Sequence, residues 1–233
     1  MYDLLISIVT YNSDLQILNN LINQIEGEKR IKIKIIIIDN LSKKNYFHKL
    51  IKLKCNVISA GKNKGYGTSH NLSNKITDDS KYILILNPDI NLEKNTLFDC
   101  YKFMESHKDY SMISPLLKKN SKKIFKIEQR NFSLFEIITR RFLKDETLIN
   151  NTDHKIMNKI IDNNFISGAF MFIRRDIFRL VGGFDERFFM YFEDVDICKR
   201  IMNYGKIGFM DYSFAYHKRS RDSYKSLKMM FIH

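Results

Sequence analysis

Ile83-Leu84-Ile85-Leu86-Asn87-Pro88-Asp89-Ile90 is an aliphatic run that stops at two polar side chains around a proline. With Tyr82 in front, it reads as a strand buried on both faces, because nothing in it alternates. Pro88 has no N–H for a ladder and ends the strand. The plain reading is a strand followed by a proline turn. The functional reading starts from Asp89, a carboxylate fixed and partly desolvated just past a buried strand. Such a group can hold a hard cation, Mg²⁺ or Mn²⁺, whose other ligands are phosphate oxygens and water.

Three similar runs precede it: residues 4–9 (LLISIV), 33–38 (IKIIII) and the short pair Val57-Ile58. Between the first two, Ser13 or Asp14 can cap a helix in which Leu15, Leu18, Leu21, Ile22 and Ile25 recur at helical spacing. A glycine-containing turn at 61–67 leads into another helix through Asn71, Leu72 and Ile76. Strand and helix alternating in this way imply a mostly parallel sheet with right-handed crossovers. Ligands of such sheets sit beyond the carboxyl ends of the strands. Thr10-Tyr11, Asp39-Asn40 and Asn87 to Asp89 are the polar residues found there.

The second half is less regular. A helix is expected over 97–104, a mobile loop or short helix over 150–164, and a strand over 165–173. Gly168 inside that strand marks a close approach by a ligand or another backbone. A short helix over 176–181 closes at Gly182, a second over 193–204 stops at Gly205, and two short strands follow at 207–210 and 213–216.

The length of 233 residues fits one domain with a real core. The formal net charge is +13. That surplus fits nucleic acid, an anionic membrane or phosphorylated ligands. No zinc-finger, helix-turn-helix or RNA-binding aromatic motif is present, so nucleic acid is not expected as a partner. Cys55, Cys100 and Cys198 are three thiols far apart in sequence. They read as small buried residues in a reducing, cytoplasmic compartment. No apolar run approaches ~18 residues, the length of a membrane span. No GxGxxG or GxxxxGK[ST] pattern occurs, so the Rossmann dinucleotide and P-loop readings lack their glycines.

Residues 188–200, FFMYFEDVDICKR, place Glu193, Asp194 and Asp196 directly behind an aromatic wall. An acidic first turn is favoured by the helix dipole and by itself is ordinary. A carboxylate at the mouth of an aromatic pocket can also have its pKa moved into the range of a general base. Gly182-Gly183-Phe184-Asp185-Glu186, Phe188-Phe189-Met190 and Glu193-Asp194-Val195-Asp196 together resemble the acceptor-side signature of family 2 glycosyltransferases, in the rhamnosyltransferase-like branch. Asn87-Pro88-Asp89 resembles a variant of that family's Asp-x-Asp motif, with Asn87 replacing the first Asp and leaving one anionic ligand.

The resemblance covers residues 6–217 and implies a fold and a set of roles. The fold is α/β: a single GT-A-like domain over 1–233 with a Rossmann-like, mostly parallel central sheet flanked by helices. Residues 1–90 are the nucleotide-sugar donor half and 91–233 the acceptor half. Donor contacts are expected from Thr10, Tyr11, Asn12, Asp39, Asn40, Asn63, Gly65, Tyr66, Asn71, Asn87, Asp89 and Gly168. Asp194 is the expected general base, with Glu193 orienting the site. Glu193, Phe189 and Tyr191 would meet the acceptor. Asp89 and His217 are the expected ligands of Mg²⁺ or Mn²⁺.

The implied reaction is inverting transfer of a sugar from a nucleoside-diphosphate donor to a glycan or an undecaprenyl-pyrophosphate-linked acceptor. The product would be a surface polysaccharide such as O-antigen or capsule. dTDP-rhamnose is the first donor expected and a UDP-hexose the alternative. A nucleotidyltransferase would place a glycine- and cation-containing loop after the first strand, where residues 10–14 read TYNSD. A non-catalytic anionic-ligand or membrane-binding module is the remaining class. Lys118, Lys119, Lys122, Lys123, Lys126, Arg130, Arg140, Arg141 and Lys144 are interleaved with Phe125, Phe132, Phe135 and Phe142. They imply peripheral attachment to an anionic membrane surface at its inner face.

Overall fold

The computed structural model describes residues 1–53, 55–75, 79–121, 123–125, 148–150 and 159–217. Strands β1 (Tyr2–Thr10), β2 (Ile33–Asp39), β3 (Asn56–Ser59) and β4 (Ser80–Leu86) lie in the order β3-β2-β1-β4, all parallel. β1, β4 and the second half of β2 are buried on both faces, as unbroken aliphatic runs require, while β3 at the edge is half-exposed. Helices α1 (Leu15–Gly27), α2 (Lys44–Leu50) and α3 (Tyr66–Lys75) connect them. Asp14 caps α1 by accepting the N–H groups of Gln16 and Ile17, and Leu18, Leu21, Ile22 and Ile25 form its buried stripe.

The remaining elements are β5 (Ile90–Leu92), α4 (Thr96–Ser106), β6 (Tyr110–Asn120), β7 (Lys123–Phe125), β8 (Leu148–Asn150), β9 (Ile160–Asn163), β10 (Phe170–Arg174), α5 (Arg175–Leu180), α6 (Glu193–Ile201) and β11 (Lys206–His217). β10 lies antiparallel between β4 and β6, and the sheet continues β6-β11-β5. The parallel order thus belongs to the first four strands and to the β6–β11 pair, while the rest of this α/β sheet is mixed. Buried side chains of α1 and α4 cover one face of the sheet. Phe178 of α5, Phe184 and the apolar side of α6 cover the other.

Several expectations change here. Residues 160–163 form a strand rather than a loop, because their backbone pairs with β11. The strand expected from 165 starts only at Phe170, and residues 167–169 form the bend that precedes it. The two short strands at the end are one, β11, with a register shift between Met210 and Phe214. Lys118 is not a surface cation: it is 7% exposed, pairs with Glu93 at 2.9 Å and lies 3.6 Å from the centroid of the Phe214 ring. Phe125 packs against the core, 6.5 Å from the His217 ring. Lys118 is thus not free to meet lipid. Ile76, Lys122, Lys126, Arg130, Phe132, Phe135, Arg140, Arg141, Phe142 and Lys144 lie outside the described residues. Among those that are described, no helix is long and apolar enough to cross a membrane.

Candidate active site

The carboxyl ends of β1, β2 and β4 carry the first part of the site. Thr10 is buried and its hydroxyl lies 2.7 Å from that of Tyr46 on α2. Asn12 stands at φ 53° and ties the first strand end to the second: its N–H donates to Ser42 Oγ and its Oδ1 accepts the Lys43 N–H. Asp39 is 3% exposed and accepts the Ser42 N–H. Tyr11 and Leu41 are the side chains left open at this end, each 51% exposed.

Asn40 and Asn63 are spent inside the protein. Asn40 accepts from Lys64 N–H and Ser69 Oγ, and donates to Asn63 Oδ1 at 2.8 Å and to the Gly65 carbonyl at 3.3 Å. Asn63 Oδ1 also accepts the Gly65 N–H. The pair fixes the turn ahead of α3. Asn71 is likewise structural. It accepts the Phe184 N–H at 2.9 Å and donates to the Phe184 carbonyl at 2.8 Å, both buried. Asn71→Ala should therefore lower stability by about 1–3 kcal/mol, the cost of orphaning buried backbone groups. Urea unfolding measures that loss. A weakened donor KM at unchanged stability would instead return Asn71 to the donor site.

The turn 63–65 delivers Tyr66, which the structure places at the centre of the site. Its hydroxyl lies 2.7 Å from the Gly168 carbonyl and 2.9 Å from Asn87 Oδ1. Burial and the carboxylates of Glu193, Asp194 and Asp89 push its phenol well above the usual tyrosine range, so it stays neutral. On one side, Asn87 Nδ2 lies 3.3 Å from His217 Nε2, and His217 Nε2 lies 3.3 Å from Asp89 Oδ1. β11 brings His217 there by pairing it with Ile90. On the other side, the Gly168 N–H faces Asp194 Oδ2 at 3.4 Å. A Cβ on Gly168 would meet the Tyr66 ring at 3.2 Å and Asp194 Cβ at 3.7 Å. Gly168 thus lies in the Asp194 corner, packed under the Tyr66 ring.

The acidic turn of α6 sorts its own carboxylates. Asp196 is held by Arg200, one helical turn on, and Arg200 also donates to the Val181 and Gly183 carbonyls. Glu193 is 6% exposed. Asp194 is part-exposed and accepts the Val195 N–H at 2.9 Å. The aromatic wall 188–192 crosses directly over Gly65, where the Phe189 carbonyl accepts the Tyr66 N–H at 2.9 Å. Tyr191 and Phe192 both adopt positive φ, 71° and 65°, to make this passage. Backbone held in that region is a local cost that the surrounding contacts impose.

Sequence reasoning missed Tyr46 and Cys198. Helix α2 reads KNYFHKL and buries only Leu50, so no apolar period announced it. Cys198 fixes the approach to Gly168 by accepting the Ile166 N–H and donating to the Ile166 carbonyl. A thiol in such a role has no sequence signature.

A divalent cation fits Asp89 and His217 in part. They supply one carboxylate and one imidazole nitrogen, a donor set compatible with Mn²⁺ or Mg²⁺ that keeps water and phosphate ligands. Among the described residues no group of three or more His, Cys, Asp or Glu side chains is placed to hold a metal unaided.

Comparison with known proteins identifies the family. Residues 5–182 match the model of glycosyl transferase family 2. The rhamnosyltransferase WbbL of Escherichia coli (strain K12) is 32% identical over 127 residues, 53% of this chain and 46% of that protein. The low-salt glycan biosynthesis hexosyltransferase Agl10 of Haloferax volcanii is 27% identical over 202 residues, 85% of this chain and 61% of that protein. The chain thus spans about half of these relatives' length. The crystal structure of GalNAc-T7 with UDP, GalNAc and Mn²⁺ superposes with a TM-score of 0.68 at 13% identity, over 93% of this chain and 43% of that one. That likeness speaks for the fold. With the family model matched from β1 to the Gly182 turn, the chain belongs to glycosyl transferase family 2.

Proposed function

We propose that this protein is an inverting, divalent-cation-dependent glycosyltransferase that moves a sugar from a nucleoside-diphosphate donor to a hydroxyl of a glycan or lipid-diphosphate-linked acceptor. One observation carries the reading. The Tyr66 hydroxyl touches both Asn87, in the Asp89–His217 corner, and Gly168, in the Asp194 corner. That contact supports a reading in which a diphosphate site and a base site lie side by side.

In this reading Tyr11 lies along the nucleoside, and the diphosphate lies toward Asp89 and His217. When bound, Mg²⁺ or Mn²⁺ on those two residues supplies neutralisation of the charge on the departing diphosphate. Asp194 takes the proton of the acceptor hydroxyl as its oxygen bonds to the anomeric carbon, while the bond from that carbon to the diphosphate oxygen breaks. One displacement inverts the centre. Likeness to the rhamnosyltransferase WbbL supports rhamnose as the sugar moved, and likeness to the hexosyltransferase Agl10 supports a hexose. We take dTDP-rhamnose first and UDP-glucose, UDP-galactose and UDP-N-acetylglucosamine next. Assembly of a surface polysaccharide is the setting that fits a lipid-linked acceptor.

Release of nucleoside diphosphate from each donor, with Mn²⁺ or with chelator, tests the reading. One donor should be consumed in a metal-dependent way, and Asp89→Ala should remove that dependence. Release from none of them, with no thermal shift by any nucleotide, would leave a binding module instead. Metal-enhanced binding that survives Asp89→Ala would reduce Asp89 to a turn residue.

A further inference from the structure

Glu193 and Asp194 are neighbours in sequence with unequal surroundings. Asp194 is part-exposed and receives backbone N–H groups from Val195 and Gly168. Glu193 is 6% exposed, and its Oε2 is sealed with no hydrogen-bond partner. Its Cβ lies against Gly67 of α3, 3.3 Å from where a Cβ there would stand. No Lys, Arg or His among the described residues pairs with it.

From α3, the ionisable neighbours are Tyr66, which stays neutral, and His70 behind it, which burial drops to about 3 and so keeps uncharged. Phe184 adds only apolar surface on this side. Asp194, the one charged group facing Glu193 among the described residues, has the same sign. A buried carboxylate with an orphaned oxygen and a like charge beside it is the arrangement that protein interiors do not tolerate ionised.

We propose that Glu193 is held as a neutral carboxylic acid, so that the Glu193–Asp194 pair presents one negative charge to the acceptor hydroxyl instead of two. The inference rests on the glycosyltransferase reading for its purpose, but not for its test. Burial first, and Asp194 second, raise the Glu193 carboxyl to about 8, in line with this geometry. A single charge leaves Asp194 the sole proton acceptor.

The decisive measurement is thermal stability against pH for the wild type and Glu193→Gln. In the unfolded chain Glu193 loses its proton near its ordinary 4.5, and in the folded protein near 8. Between those values the folded state binds more protons, so the wild type loses stability as pH rises through the window. Gln has no proton to lose. The Tm of the variant relative to wild type should therefore climb from about pH 5 to about pH 8 and then level. A difference that stays flat across the window would overturn the proposal.

Where transfer is measured, a fall in wild-type rate above about pH 8 should be missing from Glu193→Gln. If the wild type transfers no sugar, the function reading fails while the Tm comparison still decides this one. If the variant does not fold, infrared spectra of the wild type decide: a protonated-carboxyl band present near about pH 6 and gone by about pH 9 supports the proposal, and its absence at about pH 6 overturns it.

Discussion

Replacing Asp194 by Asn should leave the protein folded and able to bind nucleoside diphosphate, while transfer falls about 10²–10⁴-fold, the usual worth of general-base help. The size of the effect follows from how α6 disposes of the alternatives. Asp196 is committed to Arg200, which is itself tied to the Val181 and Gly183 carbonyls. Glu193 is closed in beneath Gly67. Asp194 alone is both open to the cleft and supported by N–H donors. Asn keeps an oxygen for the Val195 N–H and gives up only the long 3.4 Å contact from the Gly168 N–H, so the fold should hold. Calorimetric titration with nucleoside diphosphate and a transfer assay separate the two effects. Transfer within about threefold of wild type would place the base elsewhere.

Gly65→Ala should be as damaging by another route. Gly65 adopts φ 81°, where a Cβ costs roughly 1–2 kcal/mol by itself. The collision costs more: that Cβ would lie 1.9 Å from the Phe189 carbonyl oxygen and 2.6 Å from its carbon. Neither contact is with a flexible side-chain end, so the wall 188–192 or the turn 63–65 must move. Either shift breaks the bond from Tyr66 N–H to the Phe189 carbonyl and displaces the Tyr66 hydroxyl from Asn87 and Gly168. A misplacement of about 1 Å near reacting groups can cost ~10²-fold in rate. Both Tm and transfer should fall in Gly65→Ala. Gly61, also at positive φ but with open space around it, is the control: Gly61→Ala should carry only the backbone cost. Equal behaviour of the two variants would show that contact with the wall does not matter.

What the sequence made legible follows the physics of each element. β1, β2 and β4 are continuous aliphatic runs, and α1 has a capped apolar stripe, so their positions could be read directly. α3 could not be read by periodicity, since its buried positions are Gly67, Thr68, Ser69, His70, Asn71 and Ser73. β9, the four residues IIDN within a mostly polar stretch, is made a strand by pairing with β11, which is tertiary override of a local pattern. The site was legible as motifs: Asp89, His217, Tyr66 and Asp194 do converge. The division of labour among the asparagines was not, because an amide that binds a ligand and one that pins a turn look identical in sequence. Asn40, Asn63 and Asn71 each hydrogen-bond within the protein at a turn.

The insertion of β10 beside β4 has a consequence for how the chain is made. β4 pairs with β1 on one side, and its other edge waits for Phe170 to Arg174. Those partners are synthesised roughly eighty residues later, a delay of several seconds at ~5–20 residues per second. During that interval the emerging chain carries an unpaired edge built from Tyr82, Ile83, Leu84, Ile85 and Leu86, flat and uncharged, the kind of template on which strands from other chains add. A nascent chain stalled between β4 and β10 should therefore recruit chaperones strongly, and a fragment ending near residue 90 should precipitate rather than behave as a donor-binding unit. Ribosome profiling of chaperone-bound nascent chains would show engagement beginning once β4 leaves the exit tunnel and ceasing after β10 does.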